Sequence, residues 1–72
     1  MNYLERIVVD REIRFGRPTV KGTRISVADV LGYLAEGETV EGIVQQFPQL
    51  KAEDIYACLA FAADREAYAR IA

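Results

Sequence analysis

Histidine and tryptophan are absent from this chain, cysteine occurs once and proline twice. Without histidine, no Ser-His-Asp or Cys-His nucleophile can be assembled. One cysteine and no histidine also leave too few ligands for a structural zinc site. The lone Cys58 stands in the most apolar segment, where it reads as a small core residue and not as an activated thiolate. Glycines are scattered, with no phosphate-cradling loop ahead of a helix. The eleven carboxylates fall mostly on predicted solvent faces. These absences argue against an enzyme, a metal, a cofactor or a small-molecule substrate. No apolar run approaches the roughly 20 residues needed to span a membrane. The start does not look like a secretory signal, so the expected place of this protein is the reducing cytoplasm.

What is present fits a binding module. Seventy-two residues allow a single domain, 1–72. A core of that size is marginal alone, while 51% of the residues are hydrophobic. Part of that apolar surface is expected to meet a partner. The net charge is −2, but it is unevenly spread. Residues 1–25 hold six bases (Arg6, Arg11, Arg14, Arg17, Lys21, Arg24) against three acids, whereas residues 26–72 hold three bases against eight acids. One end can approach phosphate; the other repels it.

Two zones follow each other without a linker. Residues 1–25 read as extended and turn-rich. Ile7, Val8 and Val9 are β-branched and predict a strand. Ile13 and Phe15 alternate with Arg14 in a second extended stretch, and Pro18 keeps Arg17 out of the helical region. Lys21-Gly22, between Thr19-Val20 and Thr23-Arg24-Ile25, predicts a short hairpin.

Residues 26–72 predict three helices. Ser26 caps the first, with Asp29 in its first turn and Val27, Val30, Leu31 and Leu34 at helical spacing. Gly37 ends it. Thr39 caps a short second helix with Val40, Ile43, Val44 and Phe47 inward, stopped by Pro48. The third starts near Ala52. Ile55, Leu59 and Ala62 form one apolar stripe, and Tyr56, Ala60, Ala63 and Ala67 form another. A helix apolar on two faces is expected to be covered on both, and a monomer of this length can hardly do so. The second face, with Phe61 and Tyr68, is therefore the expected dimer or partner interface.

The expected fold is mainly α: a three-helix core behind a short β-rich N-terminal segment. The tight turn from helix two to helix three has the outline of a helix-turn-helix. Its side chains suit DNA poorly, because Glu53 and Asp54 lie at the tip of helix three and only Lys51 there is basic. Candidate nucleic-acid contacts are Arg14, Arg17, Lys21, Arg24 and Lys51. The ten residues Gly16 to Ile25 are the most distinctive, a contact loop carrying Gly16, Arg17, Pro18, Lys21, Gly22, Thr23 and Arg24. The plainer reading has Gly22 turning the chain, Thr23 capping, Arg24 in an internal ion pair, and Arg17 and Lys21 merely solvated.

GRPTVKGTRISV, the following VLGYLAEGETVEGIVQQFP and the later IYACLAFAA carry a resemblance. Across roughly residues 6 to 64 the chain resembles the bacterial and archaeal domain-of-unknown-function family numbered 433. The matching positions are Gly16, Arg17, Pro18, Gly22, Thr23, Arg24, Pro48 and the block from Ile55 to Ala63. Val44 departs from the small residue usual in helix two, and Lys51 from the Ser or Thr usual before helix three. The resemblance implies a homeodomain-like helical core. It also implies an antitoxin encoded beside a PIN-like ribonuclease. Such nucleases hold metal with clustered carboxylates, a target that an arginine fork matches; Arg17, Arg24, Arg65 and Arg70 are the candidates. Two other readings stay open beside this one: a dimeric regulator of operator DNA, and a structural homodimer or adaptor.

Overall fold

The computed structural model describes the chain from Asn2 to Ile71, and its side chains from Asn2 to Tyr68. It is mainly helical. A 3-10 turn at Tyr3–Glu5 leads into strand β1 (Ile7–Val8), and a second 3-10 turn at Arg14–Gly16 precedes strand β2 (Thr19–Val20). Three helices follow, α1 (Val27–Ala35), α2 (Val40–Gln46) and α3 (Ala52–Ile71). The strands pair antiparallel, with Ile7 opposite Val20 and Val8 opposite Thr19.

The helix limits follow from local chemistry. The Ser26 hydroxyl accepts the Asp29 N–H at 3.0 Å while the Asp29 carboxylate accepts the Ser26 N–H at 3.1 Å, a reciprocal capping box. Gly37, at φ +97°, turns the chain after α1 and donates its N–H to the Leu34 carbonyl. Thr39 caps α2 through the Gly42 N–H at 3.0 Å.

The core gathers Ile7 and Val20 from the sheet, Val27 and Val30 from α1, Ile43 from α2, Leu50, and Ile55, Ala57 and Cys58 from α3. Two strands alone are too little to be stable. Here β1 lies on α3, which gives the sheet a covered apolar side.

Three expectations need correction. The partner of Thr19-Val20 is Ile7-Val8 and not Thr23–Ile25. The expected turn is present: Gly22 sits at φ +81°, and the Val20 N–H reaches the Ile25 carbonyl at 2.9 Å. Its far arm makes only a single bridge, Thr19 to Ser26, because Ser26 is already committed to capping α1. Second, Ile13–Phe15 is no extended segment: Arg14 and Phe15 adopt φ of +53° and +59°. Third, Leu59 is 41% exposed although it was expected inside. The buried side of α3 runs instead through Asp54, Ile55, Ala57 and Cys58 to the half-buried Phe61. At roughly 3.6 residues per turn, a face centred there leaves Leu59 pointing away.

Candidate functional site

Two arginines of the N-terminal segment reach across to the starts of α1 and α3. Arg14 Nη1 donates to Asp29 Oδ2 at 3.0 Å and to the Arg24 carbonyl at 2.8 Å. Arg6 Nη1 donates to Asp54 Oδ1 at 3.0 Å, while the other Asp54 oxygen accepts the Lys51 N–H at 2.8 Å. Each aspartate stands third in its helix, where it also meets the positive end of the helix dipole. Partial burial favours the neutral Asp29 carboxyl. Hydrogen bonds from Ser26, then from Arg14, outweigh it and hold the pKa below the ordinary value.

This geometry sorts the candidate contacts. Arg14 is committed to Asp29 and the 24 carbonyl, so it is a structural anchor and not a free phosphate ligand. The internal ion pair considered for Arg24 is made by Arg14 instead, and the Arg24 side chain is exposed. Arg17, Lys21 and Lys51 are exposed as well. Thr23 closes its turn by donating to the Val20 carbonyl at 2.8 Å and accepting the Ile25 N–H at 3.0 Å. Pro18 has the expected effect: Arg17 is extended, at φ −68° and ψ 140°.

The turn at Arg14–Gly16 escaped the sequence reading. Arg14, Phe15 and Gly16 follow one another at positive φ, and Phe15 is 98% exposed. Gly16 and Pro18 nearby were the available signal. Two residues that both favour turns follow directly on the stretch expected to be extended.

On α3, Tyr56, Leu59, Ala63, Ala67 and Tyr68 are exposed and Ala60 is half-buried. Phe61 does not belong with them. Its ring meets Tyr3 edge to face at 5.5 Å, and the Arg65 guanidinium lies 5.4 Å from its centroid. Tyr3 is fixed in turn by donating its hydroxyl to Asp64 at 2.7 Å. That bond, with desolvation and the Asp64 charge, raises the Tyr3 pKa. An open groove of about 450 Å³ runs beside this cluster, with Pro18, Val27, Ala28 and Leu31 on one wall and Phe61, Ala62, Arg65 and Glu66 on the other. The Arg70 side chain lies outside the described residues. Burial, reinforced by the Asp54 charge, pushes the Cys58 thiol up to about 12, so it stays protonated and unreactive at neutral pH.

Residues 7–62 match the family described as "Protein of unknown function (DUF433)", and the chain belongs to that family. Over 51 residues it is 39% identical to "Uncharacterized protein y4eO" of Sinorhizobium fredii (strain NBRC 101917 / NGR234). That stretch is 71% of this chain but only 23% of the longer relative. No solved structure matches the chain. Among the described residues, no helix is long and apolar enough to cross a membrane.

Proposed function

We propose that this chain is a non-catalytic pairing module of the antitoxin kind, dimeric through α3, that binds and neutralises a PIN-like ribonuclease in the cytoplasm. The observation that carries the reading is the outer face of α3. Tyr56, Leu59, Ala60 and Ala63 form an apolar strip opposite the buried side, with no charged residue between Ile55 and Ala63. Tyr56, Ala60, Ala63 and Ala67 recur at alternating intervals of four and three, the seam spacing of paired helices. Small side chains there let a second helix come close. Exposed Arg17, Arg24 and Arg65, with Arg70, supply forks for a carboxylate cluster on the nuclease.

Two measurements test it. Ala60→Glu puts a charge into the seam and is expected to give a folded monomer in sedimentation; an unaltered dimer sinks the interface. Charge reversal at Arg17, Arg24, Arg65 and Arg70 together is expected to release a nuclease that co-purifies with the tagged protein from its native cell. Retention of the nuclease refutes the arginine mechanism.

A second reading, a homeodomain-like helix-turn-helix regulator of operator DNA, draws on one observation. Asp54, one of the two acids at the tip of α3, is buried and paired with Arg6. Only Glu53 is left to oppose phosphate there. Absence of operator binding at low salt ends this reading.

A further inference from the structure

The Arg14–Gly16 turn has no packing reason to hold an aromatic ring. Phe15 is 98% exposed, so it contributes nothing to the core. It also occupies the left-handed region at φ +59°, between Arg14 at +53° and Gly16 at +85°. A bulky residue is disfavoured there, and such strain persists where surrounding bonds over-determine it. Those bonds are present. The Arg14 guanidinium is tied to Asp29 and to the Arg24 carbonyl. The Gly16 and Arg17 N–H groups donate to the Ile13 and Arg14 carbonyls, each at 3.2 Å.

The segment that carries the ring is rich in exposed cations. Arg11, Arg17, Lys21 and Arg24 are exposed, against exposed Asp10 and Glu12. Arg11 borders the turn: a Cβ on Gly16 would stand in ordinary contact with the Arg11 Cα, at 3.6 Å. The Arg14 bond brings Arg24 to the same turn. A protein anchor sits inside a wider apolar patch. Along the chain, however, Phe15 has no exposed large apolar neighbour nearer than Val9. A single exposed ring in a segment of exposed cations is instead the composition of a surface that stacks a base and holds the flanking phosphates.

We propose that this turn is a contact for single-stranded nucleic acid, with Phe15 stacking on an unpaired base and Arg11, Arg17, Lys21 and Arg24 binding phosphates. The left-handed turn at Phe15 directs its side chain into solvent. The proposal goes beyond the pairing function and does not depend on it.

The test is fluorescence anisotropy of the full chain with labelled 12-mers of thymidylate, of uridylate and of a mixed-sequence duplex, at roughly 50 mM salt. Binding of either single strand is expected, and the tighter of the two names the source. Phe15→Ala and Phe15→Leu should each weaken it about ten- to a hundredfold, since both lack a π-face. Phe15→Tyr should bind like the original. Arg17→Gln and Arg24→Gln should each lower the salt slope by about 0.7. Phe15→Gly separates function from folding. It is expected to raise the melting temperature, by relieving the left-handed strain, while weakening single-strand binding as much as Phe15→Ala does. No binding of either single strand overturns the proposal. So does Phe15→Leu at full affinity, or a Phe15→Ala chain that keeps oligonucleotide binding and loses the co-purifying nuclease.

Discussion

The starts of α1 and α3 solve one problem with unequal means. Both place an aspartate third in the helix, both let it accept the N–H of the residue before the helix, and both add an arginine from the N-terminal segment. At α1 the preceding residue is Ser26, whose hydroxyl returns the bond; at α3 it is Lys51, which has no acceptor to return. The α3 carboxylate is also the more buried of the two. The Asp54 side chain is 11% exposed and Asp29 34%. The arginines also differ in reach. Arg14 lies 15 residues from its partner and holds a local turn, while Arg6 lies 48 residues away and fastens β1 to α3. The local device shapes a loop; the distant one closes the fold.

That contrast ranks the consequences of breaking each. Asp54→Ala leaves the Arg6 guanidinium without its partner and the start of α3 with an unmet N–H. A loss of about 2–3 kcal/mol is expected in chemical denaturation, below the full cost of a buried pair because Arg6 is partly solvated. Asp29→Ala removes the more exposed pair and half of the capping box, and should cost about 1–2 kcal/mol. Equal losses would mean that burial does not separate the two sites.

Acid sharpens the comparison further. The folded Asp29 carboxyl titrates below its ordinary value of 3.8. Its contribution is therefore complete above that value and is lost as the pH falls through the lower folded one. Denaturation midpoints followed downward from pH 5 should show this loss, and Asp29→Asn should remove that part of the slope. The smallest effect is a gain. Lys51→Ser completes the capping box of α3 and should add about 0.5–1 kcal/mol; no gain would mean that the Asp54 bond already satisfies that end.

Much of the helical half was legible beforehand. Ser26, Gly37, Thr39 and Pro48 set the limits of α1 and α2 through bonds and torsions within a few residues of each other. The family was legible too, through the GRPTVKGTRISV block. The N-terminal half was less so. A β-branched run at Ile7 foretold a strand, but not that its partner would be Thr19-Val20. Alternation at Ile13 and Phe15 pointed to an extended chain, whereas Arg14 draws the backbone into a left-handed turn to reach Asp29. Among the candidate contacts, the exposure of Arg17 and Lys21 agreed with their loop setting. Arg14 and Phe61 were misplaced because their partners, Asp29 and Tyr3, lie outside the three or four residues over which helical and capping patterns act.

By itself, then, the sequence determined three helices, the first two capped by Ser26 and Thr39, behind a basic turn-rich segment, without the side chains for histidine-based catalysis. Caps, glycine turns and helical periodicity act over three or four residues, and the order of residues specifies them directly. Only the tertiary structure decided that Arg6 and Arg14 are paired with Asp54 and Asp29 while Arg17 and Arg24 are exposed, that Phe61 packs on Tyr3, and that Phe15 projects into solvent. Those outcomes depend on which distant groups come within about 3 Å once the core has closed, a distance that spacing along the chain does not encode.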